Sequence, residues 1–396
     1  MMRDVMYKAV EDKMKTLCDV LRTYEARDEA LSFKNVITQF TSDVFGKIGF
    51  GVDLDCLQNG VAGKQGNEFV NAFADATQAM FLRFVQPKWL WRLQRALKIG
   101  SERVLYENVQ VIDQFIFRVI NVSIAKKSVN DQAIDNKTPA VAPPKDLISL
   151  FLNSSIKEEE NVKGKAFDSE MHLIRDTVVN FIFAGKDTTS HSMWWFMVMM
   201  NRYPEVLKKV RAELNEKLPG LVSGEMVVPS MDDLPQLTYL EAAIRENLRL
   251  NPVLPIGGRQ AVKDTVLCDG TPIAKHTRVA PSIYTAARRT EIWGEDALEF
   301  KPERWIDAAT GKLLVVSPFK YGYFFGGPRQ CIGMKFAMME LKCTLAVLVS
   351  KFDLKTIEDP WNLTYDIALT MAVKGPLLVN VTPRTDSAAI GTALPA

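Results

Sequence analysis

Apolar residues recur along most of the chain three and four positions apart, broken by short polar or proline-bearing stretches. That spacing predicts amphipathic helices over residues 5–22, 67–84, 102–126, 169–201, 205–217, 237–250 and 331–351. Pro204 marks where a new helix starts after the long central one. The run "NDQAIDNKTPAVAPPK", residues 130–145, is rich in proline and polar residues and predicts a surface loop. After Asn251 the period shortens to strand-like alternation. "TVLCDGTPIAKHTRVAPSIY" predicts a hairpin turning at Asp269-Gly270, and "LTYDIALTMAVKGPLLVNVTPR" a strand pair turning at Lys374-Gly375. Residues 385–396 are small and polar and are expected to form a disordered tail. No internal repeat is visible. The pattern therefore predicts a single mainly α domain over residues 1–384, with a minor β component.

Composition narrows the class without deciding the function. The chain has 396 residues, enough for a sizeable core, and its 47% hydrophobic and 24% charged content is that of a globular protein. A net charge of +2 argues against a general nucleic-acid binder. The five cysteines (Cys18, Cys56, Cys268, Cys331 and Cys343) are odd in number and lack a close CxxC pair. That is no disulfide framework, and a reducing compartment is expected. The opening "MMRDVMYKAVEDKMKTL" has no apolar stretch of the kind a signal peptide or anchor needs. The most apolar tract, "VVNFIFAGKDTTSHSMWWFMVMM", is interrupted by Lys186, Asp187 and His191, and reads as a core helix rather than a membrane span.

The stretch "FFGGPRQCIG", Phe324 to Gly333, carries the densest candidate chemistry. Its spacing does not fit a phosphate loop, and His172, His191 and His276 lack the spacing of a zinc site. One plain reading is that Cys331 is a small buried apolar residue. The other rests on its neighbours. Gly326, Gly327 and Gly333 permit close approach of something flat or bulky, and Arg329 supplies a cation two residues before the sulfur. A helix expected to start at or beside Cys331 would aim its amide dipoles at the sulfur and favour the thiolate. A cysteinate shielded by Phe324 is what a heme iron takes as an axial ligand.

The same ten residues resemble the heme-ligand signature of the cytochromes P450, F-x-x-G-x-R-x-C-x-G, at Phe324, Gly327, Arg329, Cys331 and Gly333. Three further stretches follow the family's order: "AGKDTTS" at residues 184–190, the E-x-x-R pair Glu246 and Arg249, and "FKPERW" with Arg304. Singly each has an ordinary reading, as a polar patch in a helix or an i,i+3 surface pair. Together they imply the P450 fold, a helical core with small β-sheets. They further imply heme b (iron protoporphyrin IX) ligated by Cys331, and proton delivery by Asp187 and Thr188. Glu246, Arg249 and Arg304 would form a buried structural network. Arg259, in "LPIGGRQA", and Arg329 would pair with the heme propionates.

Several longer stretches, among them "GFGVDLDCL" and "IWGEDALEFKPERW", look most like the eukaryotic fatty-acid and alkane ω-hydroxylases, as does Lys186 before the acid. That likeness implies ω-hydroxylation of a fatty acid or similar chain. The pocket candidates are Phe181, Ala184, Val253, Leu254, Ile256, Thr370, Met371 and Ala372. It also implies O2 as co-substrate, electrons from a separate NADPH–cytochrome P450 reductase, and the cytosolic face of the endoplasmic reticulum membrane. No flavin or nicotinamide motif is visible, since "GKIGFG" has the wrong spacing. Lys320, Lys335 and Lys342 flank the cysteine as candidates for meeting an acidic reductase. Relative to the family the chain is expected to lack the anchor, the first sheet strands and the W-x-x-x-R helix. "WRLQR", Trp91 to Arg95, has those letters but falls too far downstream. Two rivals stay open: a non-catalytic remnant binding heme weakly or not at all, and a heme protein with peroxide-driven or isomerase chemistry, against which the acid–alcohol pair speaks.

Overall fold

The computed structural model describes residues 2–61, 68–135, 146–155, 165–367 and 369–384. The predicted tail and most of the predicted loop over 130–145 lie outside these residues. Residues 130–135 instead continue a helix.

After a wide-turned π-helical segment, Met2–Tyr7, the first half of the chain is helical. It runs α1 (Lys8–Arg27), strand β1 (Leu31–Ser32), α2 (Phe33–Phe50), α3 (Cys56–Val61), α4 (Glu68–Val85) and α5 (Lys88–Leu97). Then come α6 (Gly100–Asp135), α7 (Leu147–Ser155), the long central α8 (Lys165–Arg202), α9 (Pro204–Lys217), α10 (Pro219–Ser223) and α11 (Thr238–Leu250). Short strands follow: β2 (Arg259–Gln260), β3 (Thr265–Val266), β4 (Pro272–Ile273) and β5 (Arg278–Val279). Two single turns, α12 (Ile283–Ala286) and α13 (Thr290–Trp293), lead to α14 (Met334–Lys351). The chain closes on β6 (Phe352–Thr356), β7 (Tyr365–Ile367), β8 (Met371–Val373) and β9 (Leu378–Pro383).

The core forms around α8, whose residues 191–200 are all buried, and around the similarly buried second half of α14. α2 was not expected from the sequence, because its Thr, Val, Ile, Phe and Gly are weak helix formers. Yet Phe33, Val36, Ile37, Phe40, Val44 and Ile48 share one stripe, all buried, so packing overrides propensity. α2 lies tightly along α8: a Cβ on Gly185 would stand 2.0 Å from the Phe45 ring, so only glycine admits this contact. The same ring meets Phe181 at 5.3 Å and Phe336 of α14 at 5.5 Å. Side chains from elsewhere cap two helices. Asp43 accepts the Cys56 and Leu57 amides opening α3, and Glu213 of α9 accepts the Tyr239 and Leu240 amides opening α11.

The sheets are small and antiparallel. β3 and β4 pair around Gly270, whose φ of +88° suits the turn, so this hairpin forms where expected. The second expected turn does not: β7 pairs with β8, Tyr365 opposite Val373, while Lys374-Gly375 is a corner from which β9 leaves for another sheet. That sheet has the order β1-β9-β6, with Leu31 opposite Val379 and Phe352 opposite Pro383. It thus joins the beginning of the helical half to the end of the chain. Among the described residues no helix is long and apolar enough to cross a membrane.

Candidate active site

The cysteine stretch is two tight turns, Gly322–Phe324 and Gly327–Arg329, leading into α14. The helix begins at Met334, not at Cys331, so the cysteine sits just outside its first turn. The Cys331 amide is also spoken for: it donates to the Phe324 carbonyl at 2.8 Å, closing the loop on itself. The expected helix start at or beside Cys331 is therefore corrected to Met334, with the loop before it held by its own backbone. Gly327 turns at φ +68°. Phe325, with φ 57° and ψ −178°, occupies a region nearly reserved for glycine, at a cost of about 1–3 kcal/mol that the surrounding packing must offset.

What holds the strained residue is β2 and the segment before it. A Cβ on Gly257 would come within 2.8 Å of the Phe325 ring, and the Arg259 guanidinium lies 5.5 Å over that ring. Arg259 and Arg329 are both exposed, as is the Cys331 thiol. Phe324 is half-buried, edge-on to Tyr323 at 4.7 Å, and a Cβ on Gly333 would sit 3.8 Å from the Cys331 sulfur. The fold thus gathers Phe324, Gly327, Arg329, Cys331, Gly333 and Arg259 into one neighbourhood on an open face.

α8 approaches this face through a hydroxyl contact: Ser192 Oγ and Tyr323 Oη are 2.8 Å apart. One turn earlier, Thr188 Oγ1 donates to the Ala184 carbonyl at 2.7 Å, taking an acceptor from the helix ladder. Lys186 is buried and bonds to Asp187 Oδ1. His191, one turn on, stacks on Trp194 at 4.1 Å, and burial lowers it to about 4, so it is neutral at physiological pH.

The Glu246 carboxylate is wholly buried and saturated. It accepts from Arg249 Nε and Nη2, Arg304 Nε, the Lys301 amide and the indole of Trp305, all at 2.8–2.9 Å. Arg249 spends its remaining donors on the carbonyls of Ala287, Ala297 and Glu299. Arg304 also bonds Asp296, which Lys301 and Arg304 together hold down at about 2. Sequence reasoning missed Trp305 and Asp296, although Trp305 directly follows Arg304 in "FKPERW". Tyr321 rests edge-on against Trp305 at 4.7 Å, so the network supports the approach to the cysteine loop.

The pocket candidates divide. Ala184, Leu254 and Ile256 are exposed, Ile256 by 61%, and Phe181 is half-buried against Phe45. Val253 and Met371 lie in the interior, joined by a Met371 amide to Val253 carbonyl bond of 2.8 Å, with Thr370 and Ala372 partly buried beside them. Of the three flanking lysines, Lys320 and Lys335 are exposed. Lys342 is not a surface cation: it is buried and bonds Glu241 at 2.7 Å. Trp91 and Arg95 sit on α5, remote in role from the cysteine loop, with Arg83 5.1 Å over the Trp91 ring. A surface groove along α6, lined by Gln114, Phe117, Arg118 and Asn121, touches none of the motif residues.

The donor set fits a heme. The loop offers one soft sulfur donor and an exposed Arg329, with the exposed Arg259 over its Phe325 ring, two guanidiniums able to meet two carboxylates, and apolar Ile256, Phe319 and Ile332 exposed in the same segments.

Comparison with known proteins agrees with that chemistry. The family described as Cytochrome P450 matches residues 2–379. Among curated proteins, the chain is 33% identical over 380 residues to cytochrome P450 86B1 of Arabidopsis thaliana, covering 94% of this chain and 64% of that protein. It is 32% identical over 341 residues to cytochrome P450 94A1 of Vicia sativa, covering 85% and 60%. It is 31% identical over 291 residues to alkane hydroxylase MAH1 of Arabidopsis thaliana, covering 74% and 54%. The chain thus spans between about half and two thirds of the length of these relatives.

Proposed function

Because the chain belongs to the cytochrome P450 family, we propose that it is a heme-thiolate monooxygenase that inserts one oxygen atom of O2 into an unactivated C–H bond. The observation that carries the reading is an exposed Cys331 on a loop closed by its own backbone, with Arg259 over the loop's Phe325 ring and Tyr323 tying the loop to the Thr188 turn of α8. When bound, heme b supplies the redox chemistry that activates O2.

The chain's own residues supply position and protons. Cys331 would hold the heme iron through its sulfur, and Arg259 and Arg329 would pair with the two propionates. The Thr188 hydroxyl donates a hydrogen bond to the Ala184 carbonyl, which leaves its oxygen lone pairs to accept a hydrogen bond on the other side. Asp187, partly exposed beside Lys186, exchanges protons with solvent and passes them towards the alcohol. Two electrons and two protons reduce the second oxygen atom to water. We assign the electrons to an NADPH–cytochrome P450 reductase, with Lys320 and Lys335 as exposed cations near the loop.

For substrate we propose a fatty acid or similar long chain, hydroxylated near its end. The name of the alkane hydroxylase relative and the apolar Leu254, Ile256, Ala184 and Phe181 support it. We also place the protein at the cytosolic face of the endoplasmic reticulum membrane. Supporting this, α5 has no buried residue and exposes Trp89, Leu93 and Leu97, with Lys88, Arg92, Arg95 and Lys98 along the same segment and no acidic residue among them.

The test is to reduce the purified protein under carbon monoxide. The expected result is the red-shifted Soret band of thiolate-ligated heme, lost in Cys331→Ala. Absence of the band from wild type would instead favour a fold that retains the helices without the chemistry, and a band that survives Cys331→Ala would overturn the ligand.

A further inference from the structure

Tyr323 is the residue no motif accounts for. It sits half-buried in the Gly322–Phe324 turn, and its Oη lies 2.8 Å from Ser192 Oγ on α8. The direction of that bond follows from the next one. Ser192 Oγ already donates its single proton to the Thr188 carbonyl at 2.7 Å, so Tyr323 must be the donor.

The bonds form a continuous path. Thr188 donates at its side chain to Ala184 and accepts at its carbonyl from Ser192; Ser192 accepts from Tyr323. The residue after Tyr323 is Phe324, whose carbonyl receives the Cys331 amide at 2.8 Å. Asn247, next to Glu246, fixes the same turn of α8 by donating to the Ser192 carbonyl at 3.0 Å. A displacement of Tyr323 therefore moves the carbonyl that holds Cys331.

We propose that Tyr323 and Ser192 are positioning residues: their hydroxyl pair straps the cysteine loop to the alcohol-bearing turn of α8 and sets the separation between the Cys331 sulfur and Thr188. This rests on the heme-thiolate reading for its purpose, but the strap itself is testable without heme.

The experiment compares wild type, Tyr323→Phe, Ser192→Ala and the double variant by amide hydrogen exchange of the segment 322–333, and by the fraction of bound heme giving the thiolate carbon monoxide band. Tyr323→Phe removes the donor and leaves Ser192 bonded to Thr188, so exchange at the Cys331 amide should quicken by about fivefold, the equivalent of one ordinary hydrogen bond. Ser192→Ala strands a half-buried phenol and should do more; the double variant should fall back to the level of Tyr323→Phe, because no phenol is then left unpaired. In each case the thiolate fraction should drop while exchange in α9 is unchanged. Unaltered exchange at Cys331, uniform acceleration throughout the protein, or additive effects in the double variant would each overturn the strap. If wild type gave no thiolate band, the heme reading would fail, yet the exchange arm would still decide the strap.

Discussion

The Glu246 carboxylate and the Arg304 guanidinium, 58 positions apart in sequence, meet at 2.8 Å in the interior. With Arg249 and Trp305 on the same carboxylate, no lone pair faces empty space, and removing the acid leaves two guanidinium groups buried beside each other. Glu246→Ala is expected to lower stability by about 3–5 kcal/mol, because a broken buried pair leaves uncompensated charge. Urea unfolding measures it. A loss below about 0.5 kcal/mol would mean that the network carries no weight.

Among the described residues Thr188 meets the cysteine loop by hydrogen bonds only through Ser192, so Thr188→Ala should leave the thiolate carbon monoxide band in place. Hydroxylated product should fall by about a hundredfold, the range for a lost proton-transfer group, with electrons diverted to hydrogen peroxide. Peroxide assay against NADPH consumption reads this. Unchanged coupling removes Thr188 from proton delivery.

Glu340, on α14, is fully buried with neither oxygen hydrogen-bonded, and burial pushes its carboxyl from 4.5 up to about 8. The folded protein therefore holds a proton that the unfolded chain releases. Its contribution is fully present below pH 4.5 and is lost as pH rises towards about 8. His191 works in the opposite sense. Lowered from 6.5 to about 4, it makes the unfolded chain bind more protons, so its contribution is present above pH 6.5 and is lost as pH falls towards about 4. Glu340→Gln should remove the alkaline decline in melting temperature and leave the acid decline. A variant whose pH profile overlays wild type would show that Glu340 is ionised in the fold.

On α5, Trp89, Leu93 and Leu97 recur four apart on one face beside four cations. Replacing all three by Ala should weaken sedimentation with vesicles containing anionic lipid by at least about tenfold, since each side chain contributes about 1.5–3 kcal/mol when buried. Raising the salt concentration should weaken the wild type as well. Binding unchanged by the triple substitution would move the membrane contact elsewhere.

The sequence made the site legible because its chemistry is local. Cys331, Arg329 and the glycines lie within ten residues, and Glu246 and Arg249 within one helical turn. The long helices α8 and α14 were legible from periodicity alone. What stayed hidden depends on contacts between distant segments. α2 is held because its Phe45 meets Phe336 and the Gly185 notch, and no window of its own sequence states that. Lys342 looks like any lysine beside a cysteine until Glu241, 101 positions away, is found against it. The Lys374-Gly375 turn was misread for the same reason: β9 leaves its neighbour β8 for β1 and β6. The start of α14 at Met334 is set by backbone bonds inside the loop, which composition does not encode.

The pairing of β1 with β9 has a bearing on how the molecule is made. Phe33 opens α2 by donating its amide to Leu377, and Lys34 reaches the carbonyls of Val373 and Gly375. A nascent chain emerging from the ribosome must therefore keep α1 and α2 waiting, their sheet-facing edge unpaired, through the synthesis of some 340 further residues. Over that interval the edge that β9 covers stays open, and a premature stop upstream of β9 would leave Leu31 and Ser32 without their strand partner.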